Sequence, residues 1–210
     1  MAQGSAQFVW EHPYYPQFYV PSSAIKSGLL TKDDAVDKNE SAFLATLKGK
    51  SRSTNRVLTF EKGPLSGLVR FEFSTLDQWF EEDSPIYFHP KDPYKRIDIL
   101  HSTRTVTAKV DGVIIAESSS NMFLFETMLP TRYYMPQSVV RWDYLTKSDT
   151  TSLCPYKGMA NYYNVVVNGK EYKDLIWRYE TPTLESALIA GYVCFYNEKV
   201  DIYIDGLKEK

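Results

Sequence analysis

Cysteine, histidine and clustered basic residues are all scarce in this 210-residue chain, and each scarcity removes a class of function. The two cysteines, Cys154 and Cys194, make at most one bridge, which a large domain does not need in order to fold, so both are expected as thiols. Three scattered histidines with no CxxC or HxxxH spacing cannot assemble a four-ligand structural zinc site, and neither a metal nor another cofactor is implied. Lys and Arg total 24 against 26 Asp and Glu, and no stretch gathers the basic residues that draw a phosphate backbone. Nucleic acid is therefore not an expected partner. No apolar run approaches the roughly 20 residues of a bilayer span. The N-terminal MAQGSAQ has neither a hydrophobic signal region nor a glycine directly after the initiator methionine. The expectation is a cytoplasmic protein with no membrane partner and no lipid anchor.

What the chain has in quantity is aromatic side chains: 16 Tyr, 11 Phe and 4 Trp, a composition suited to pleated, half-buried strands. It also has an internal repeat. With Phe8 placed over Phe123 and the pairing run without gaps to Asp34 over Asp149, Glu11, Tyr19, Pro21, Ser23, Leu30, Thr31 and Lys32 also meet identical residues. Trp10 over Phe125, Phe18 over Tyr133 and Ile25 over Val140 keep their character. The match resumes with Gly49-Lys50 over Gly169-Lys170, Phe60-Glu61 over Tyr179-Glu180, and the segment from Gly67 over that from Gly191. Two copies of one unit are predicted.

The copies are unequal. Before Phe123, Asp111-Gly112 sits between alternating β-branched segments, a strong hairpin signal, whereas only the seven residues MAQGSAQ, with no such pattern, precede Phe8. The first copy is thus expected to lack its N-terminal hairpin and to leave an open sheet edge, covered by the second copy or by another chain in a homo-oligomer. Pro85, Pro90 and Pro93 with acidic neighbours mark a connecting segment at 81–95, between a truncated copy at 1–80 and a complete domain at 96–210. Asn168-Gly169 predicts a second hairpin. The one clear helix signal is TLESALIAG, capped by Thr183 and ended by Gly191.

Together, LFETMLPTRYYMP, CPYKGMANYY, IWRYETP and IAGYVCFYNEKVDIYIDG resemble the family known as domain of unknown function 427, also labelled nucleotidyltransferase type 9. The resemblance covers residues 96–206, with 8–80 similar to the degenerate leading copy of tandem members. It implies a mainly β fold: two fused copies of a small Mss4-like or β-tent sheet unit, in which twisted sheets lean together over a ligand-sized groove. Many β-tent relatives hold a four-cysteine zinc at the apex, and this chain lacks those cysteines. Nor does it carry the Gly-Ser stretch followed by paired aspartates that would hold phosphates and Mg²⁺ for nucleotidyl transfer.

Three groups of residues are candidates for chemistry. Cys154-Pro155-Tyr156-Lys157-Gly158 places a thiol three residues from an ammonium, which would ease its deprotonation, or else closes a tight turn around a buried thiol; the first copy reads DKNESAF here. Arg132 and Tyr134 alternate onto one strand face with Tyr133 on the other, so Arg132 either grips an anionic or planar ligand or pairs with Glu126 across a turn; the first copy has Gln17 in its place. Trp177 and Tyr179, with Tyr162 and Tyr163, form an aromatic groove or simply core; position 177 is aligned with Thr59. His12 and His89 each precede proline and read as loop residues, and KDPYKR reads as a solvated surface. The paired prolines of PTRYYMP and YPQFYVP bracket equivalent short strands. The favoured reading is a groove in the second copy that binds a small planar or anionic ligand through Glu126, Arg132, Tyr134, Tyr156, Tyr163 and Trp177. The rivals are a transferase- or hydrolase-like enzyme acting through Cys154 or Lys157, and a structural or assembly protein.

Overall fold

A computed structural model describes residues 6–209, in which strand accounts for 53% of the chain and helix for 9%, far from the roughly one-third helix of an average domain. The short helices among the described residues are all of the 3-10 type. The chain divides into two compact units, Met1–Asp92 and Pro93–Lys210.

The first unit contains β1 (Gln7–Val9), β2 (Gln17–Pro21), β3 (Leu30–Ala35), β4 (Ala42–Lys48), β5 (Ser53–Phe60), β6 (Leu68–Phe71), β7 (Trp79–Glu81) and β8 (Ser84–Ile86). The first six form one antiparallel sheet in the order β1-β2-β6-β5-β4-β3, and β7 and β8 make a separate ribbon. The second unit contains β9 (Ile97–Ser102), β10 (Val106–Val110), β11 (Val113–Ser118), β12 (Asn121–Glu126), β13 (Arg132–Pro136), β14 (Leu145–Cys154), β15 (Gly158–Val167), β16 (Lys170–Tyr179), β17 (Tyr192–Phe195), β18 (Asp201–Ile204) and β19 (Leu207–Lys208). They form a seven-stranded sheet, β14-β15-β16-β17-β13-β12-β9, and a four-stranded one, β11-β10-β18-β19.

Six strands of the larger sheet repeat those of the first unit in order and register. Phe8 faces Phe18 as Phe123 faces Tyr133; Tyr19 faces Arg70 as Tyr134 faces Cys194; Val57 faces Phe71 as Ile176 faces Phe195. The strand-ending prolines agree in backbone angles, φ −55 and ψ 133 at Pro21 against φ −55 and ψ 135 at Pro136, each leading into a 3-10 turn. Both units also bulge at the same place, between Ala45 and Leu47 and between Tyr163 and Val165. Pairing corrects the alignment at two points. Gly49 bonds back to Arg52 where Val167 pairs with Lys170, so Gly49 corresponds to Val167 rather than Gly169. Leu58 faces Arg70 where Trp177 faces Cys194, so the counterpart of Trp177 is Leu58 and not Thr59. Pattern alignment slid here because consecutive bulges shift the register one residue at a time.

The predicted hairpins are present: Asp111-Gly112 (φ 50, 78) and Asn168-Gly169 (φ 51, 73) adopt the doubly left-handed turn that matches strand twist. Their contribution differs from the expectation. The β10–β11 hairpin joins β18 in the second sheet, where Val106, Ala108, Val110, Ile115, Ile202 and Ile204 close over one face of the seven-stranded sheet. Among the described residues the first unit has no such hairpin, and Leu76 with Trp79 of the β7–β8 ribbon packs over the corresponding face of Val20, Ala45, Val57, Val69 and Phe71. Among the described residues β1 is indeed the last strand of its sheet, but what flanks its counterpart β12 is β9, not the hairpin.

TLESALIAG forms a kinked 3-10 helix, Leu184–Ile189. Thr183 does not cap it. Its hydroxyl donates to the Tyr156 carbonyl, and Ser186 Oγ donates to the same oxygen at 3.0 Å. Competition from that carbonyl removes the cap.

Candidate functional site

Directly opposed residues of neighbouring strands share a face, so the pairings define which side chains meet on the side of the seven-stranded sheet away from the β10–β11 layer. Met122 and Leu124 of β12 oppose Tyr134 and Arg132 of β13; Tyr134 opposes Cys194 of β17; Cys194 opposes Trp177 of β16, which opposes Tyr162 of β15. Alternation adds Glu126 and Tyr179. Leu124, Tyr134, Ala160, Tyr162, Trp177, Tyr179, Ile189 and Cys194 form a buried cluster, with Cys154 and Tyr196 packed against it. Tyr133 points the other way, its ring 4.7 Å from that of Phe123 and its hydroxyl donating to Glu209 at 2.5 Å.

One end of this face is charged. Glu126, with a side chain only 6% exposed, receives the ammonium of Lys157 at 2.5 Å and that of Lys95 at 3.2 Å. Lys95 also lies over the buried Tyr156 ring, 5.8 Å from its centroid. The loop that presents Lys157 is pinned by Thr183 and Ser186 at the Tyr156 carbonyl and by the Thr183 amide, which donates to the Lys157 carbonyl at 3.2 Å. Gly158 makes that approach feasible. Its φ is +98, and a Cβ there would meet the Thr181 carbonyl oxygen at 3.2 Å. Gly158→Ala is expected to destabilise by about 1–3 kcal/mol and to loosen the loop, read as a lower Tm together with faster amide exchange at residues 154–158.

A second group on the face is aromatic. Arg132 donates two hydrogen bonds to Glu198, each 2.8 Å, and its guanidinium lies 5.5 Å from the Trp177 ring centroid and 5.7 Å from that of Tyr196. Trp177 and Tyr196 are 4.5 Å apart, and Trp177 Nε1 donates to the Tyr134 hydroxyl at 3.3 Å. Burial works against the Arg132 charge, but the Glu198 hydrogen bonds more than restore it, leaving its pKa raised; the same bonds hold the Glu198 carboxyl below its usual range.

The structure brings Glu126, Tyr156 and Lys157 together, and gathers Arg132, Tyr134 and Trp177 in a second group on the same face. It removes Tyr163, which strand alternation turns into the other core beside Val165 and Ile176, with Trp142 against it at 5.3 Å. Arg132 does not pair with Glu126. The residue missed was Lys95, read as part of a solvated stretch; its side chain is 15% exposed while the adjacent Arg96 is 81% exposed. Two basic residues in a row, one buried and one solvated, carry no one-dimensional mark that tells them apart. The Lys157 ammonium is committed to Glu126, and among the described residues no hydrogen bond joins it to the Cys154 thiol. Cys194 is wholly buried, and burial pushes its thiol pKa well up. In native protein, alkylation followed by mass spectrometry should mark Cys154 first and leave Cys194 unmodified; early labelling of Cys194 would contradict this packing.

The first unit has an acid at the matching position but with a different partner. Glu11, the counterpart of Glu126, is held by Arg70 through bonds of 2.8 and 3.1 Å and accepts from the Tyr19 hydroxyl at 3.0 Å. Arg70 stands where the second unit has Cys194.

The rings also set an alkaline limit. Burial, with the Tyr162 hydrogen bond second, pushes Tyr196 up to about 12; burial, with Glu11 second, does the same for Tyr19. Tyr134 and Tyr179 are raised further, again chiefly by burial. An unfolded tyrosine ionises near about 10. Because the folded values are higher, these rings contribute stability that is complete below that pH and is lost as pH rises through the folded values. Ultraviolet titration should show exposed tyrosines ionising first and the buried set only as the protein unfolds. A single transition accounting for every tyrosine in folded protein would refute it.

A family model described as Domain of unknown function (DUF427) matches residues 98–206, which span β9 through the β18–β19 turn. No curated protein matches the chain.

Proposed function

Since the chain belongs to the family described as Domain of unknown function (DUF427), whose description assigns no reaction, we propose a function from the site itself: the second unit binds a small anionic or planar ligand at the Glu126–Lys157 end of its aromatic sheet face. The observation that carries this reading is the pairing of two ammonium groups, Lys95 and Lys157, with one nearly buried carboxylate. Charge held out of water without a matching partner is costly, and an incoming anion relieves that cost. The first unit offers no such opening, because Arg70 answers Glu11 one to one. Residues 8–80 are then a degenerate copy kept as scaffold, and each unit derives from one β-tent ancestor; the shared strand order and register support this. In this reading Arg132, saturated by Glu198, braces Trp177 and Tyr196, and Cys154 packs against the face instead of acting as a nucleophile.

A thermal-shift screen of metabolites against wild type, Lys157→Met and Arg132→Ala tests it, because a ligand raises Tm only where its site is intact. Hits that vanish in Lys157→Met support the site. Hits that persist undiminished in that variant place binding elsewhere. Rapid alkylation of Cys154 near neutral pH, blocked by the same hits, would instead favour the enzymatic reading through Cys154.

A further inference from the structure

The charge balance of the site selects its ligand, and we infer that the ligand is a monoanion, of which a carboxylate is the simplest form, in preference to a phosphate dianion. This rests on the reading above and adds the charge of the ligand to it.

Glu126 meets Lys95 and Lys157, and among the described residues neither ammonium is ion-paired with a second carboxylate. The remaining charged pair on this face, Arg132 with Glu198, is already balanced by two hydrogen bonds of 2.8 Å. Two cations against one anion leave a single positive charge. All three side chains are poorly exposed, at 15%, 11% and 6%, so solvent does little to screen that surplus. One negative charge brings the cluster to neutrality. A second would restore an imbalance of opposite sign in the same poorly solvated place, beside Glu126, which cannot withdraw because both ammonium groups hold it.

Calorimetric titration of the full chain with benzoate, phenyl phosphate and the neutral benzamide tests the assignment. A phosphate monoester loses its second proton near about pH 6, so phenyl phosphate is a monoanion near pH 5 and a dianion near pH 7.5. Expected at pH 7.5 is benzoate binding at least about tenfold tighter than phenyl phosphate, with benzamide weaker than either anion. Lowering the pH to about 5 should narrow that gap. Lys157→Met and Lys95→Met each leave one balanced pair, which protects the fold, and each should weaken benzoate about tenfold or more. Glu126→Gln doubles the surplus and should reverse the order, with phenyl phosphate raising its Tm more than benzoate does. Phenyl phosphate binding as tightly as benzoate at pH 7.5, with that binding lost in Lys157→Met, would overturn the monoanion assignment while leaving the anion site standing. Absence of binding by both anions, or binding unchanged in both lysine variants, would overturn the site together with the assignment.

Discussion

Glu126→Ala is expected to cost about 3–5 kcal/mol of folding stability, because it strands two poorly solvated ammonium groups on one face of the sheet. The carboxylate holds the Lys157 loop and the Lys95 segment at once, so its loss acts on both. Chemical denaturation should show a lowered midpoint with an unchanged slope. Adding Lys157→Met to the Glu126→Ala background should recover part of the loss, since it removes one of the stranded charges. The double-mutant cycle isolates that coupling. A cost below about 1 kcal/mol would mean that the cluster behaves as an exposed surface pair. The corresponding change in the first unit, Glu11→Ala, is expected to cost less, because Glu11 and Arg70 are more exposed at 33% and 20%.

Phe195→Ala is the second large effect, at about 3–5 kcal/mol. Phe195 is 1% exposed beneath the four-stranded layer, where Val200, Ile202 and Ile204 leave the neighbours little room to collapse into the void. Phe71 holds the same place in the first unit, opposite Val57 as Phe195 is opposite Ile176. Its cover among the described residues is Leu76 and Trp79, the latter from the two-stranded β7–β8 ribbon, a smaller layer than the four-stranded sheet, so the site can relax and Phe71→Ala should cost less than Phe195→Ala. Amide exchange resolved by segment reads each unit separately: Phe195→Ala should speed exchange across 121–204, and Phe71→Ala across 17–71. Equal costs at the two positions would show that the extra sheet adds no resistance to collapse.

Much of the architecture was open to one-dimensional reading. Asp111-Gly112 and Asn168-Gly169 declare their hairpins because few other dipeptides accept two consecutive left-handed residues, and the prolines of YPQFYVP and PTRYYMP fix where β2 and β13 end. The repeat from Phe8 to Asp34 was legible for a related reason, since identical registers demand similar residues at similar steps. Alignment failed where the chain bulges: Leu58, not Thr59, answers Trp177. Tyr163 lies in the opposite core from Tyr162 because consecutive strand residues alternate faces.

The sequence by itself determined the sheet-forming character of the chain, its turns, the likeness of its two sheets and the short list of polar residues able to do chemistry, because those depend on local backbone preference and on patterns a few residues long. Only the tertiary structure decided which ions meet. Lys95 and Glu126 are 31 residues apart, as are Glu126 and Lys157, and Arg132 reaches Glu198 across 66. Coulombic partnership falls with distance in space and is indifferent to distance along the chain, so it is set by strand order and register, not by any neighbouring residue.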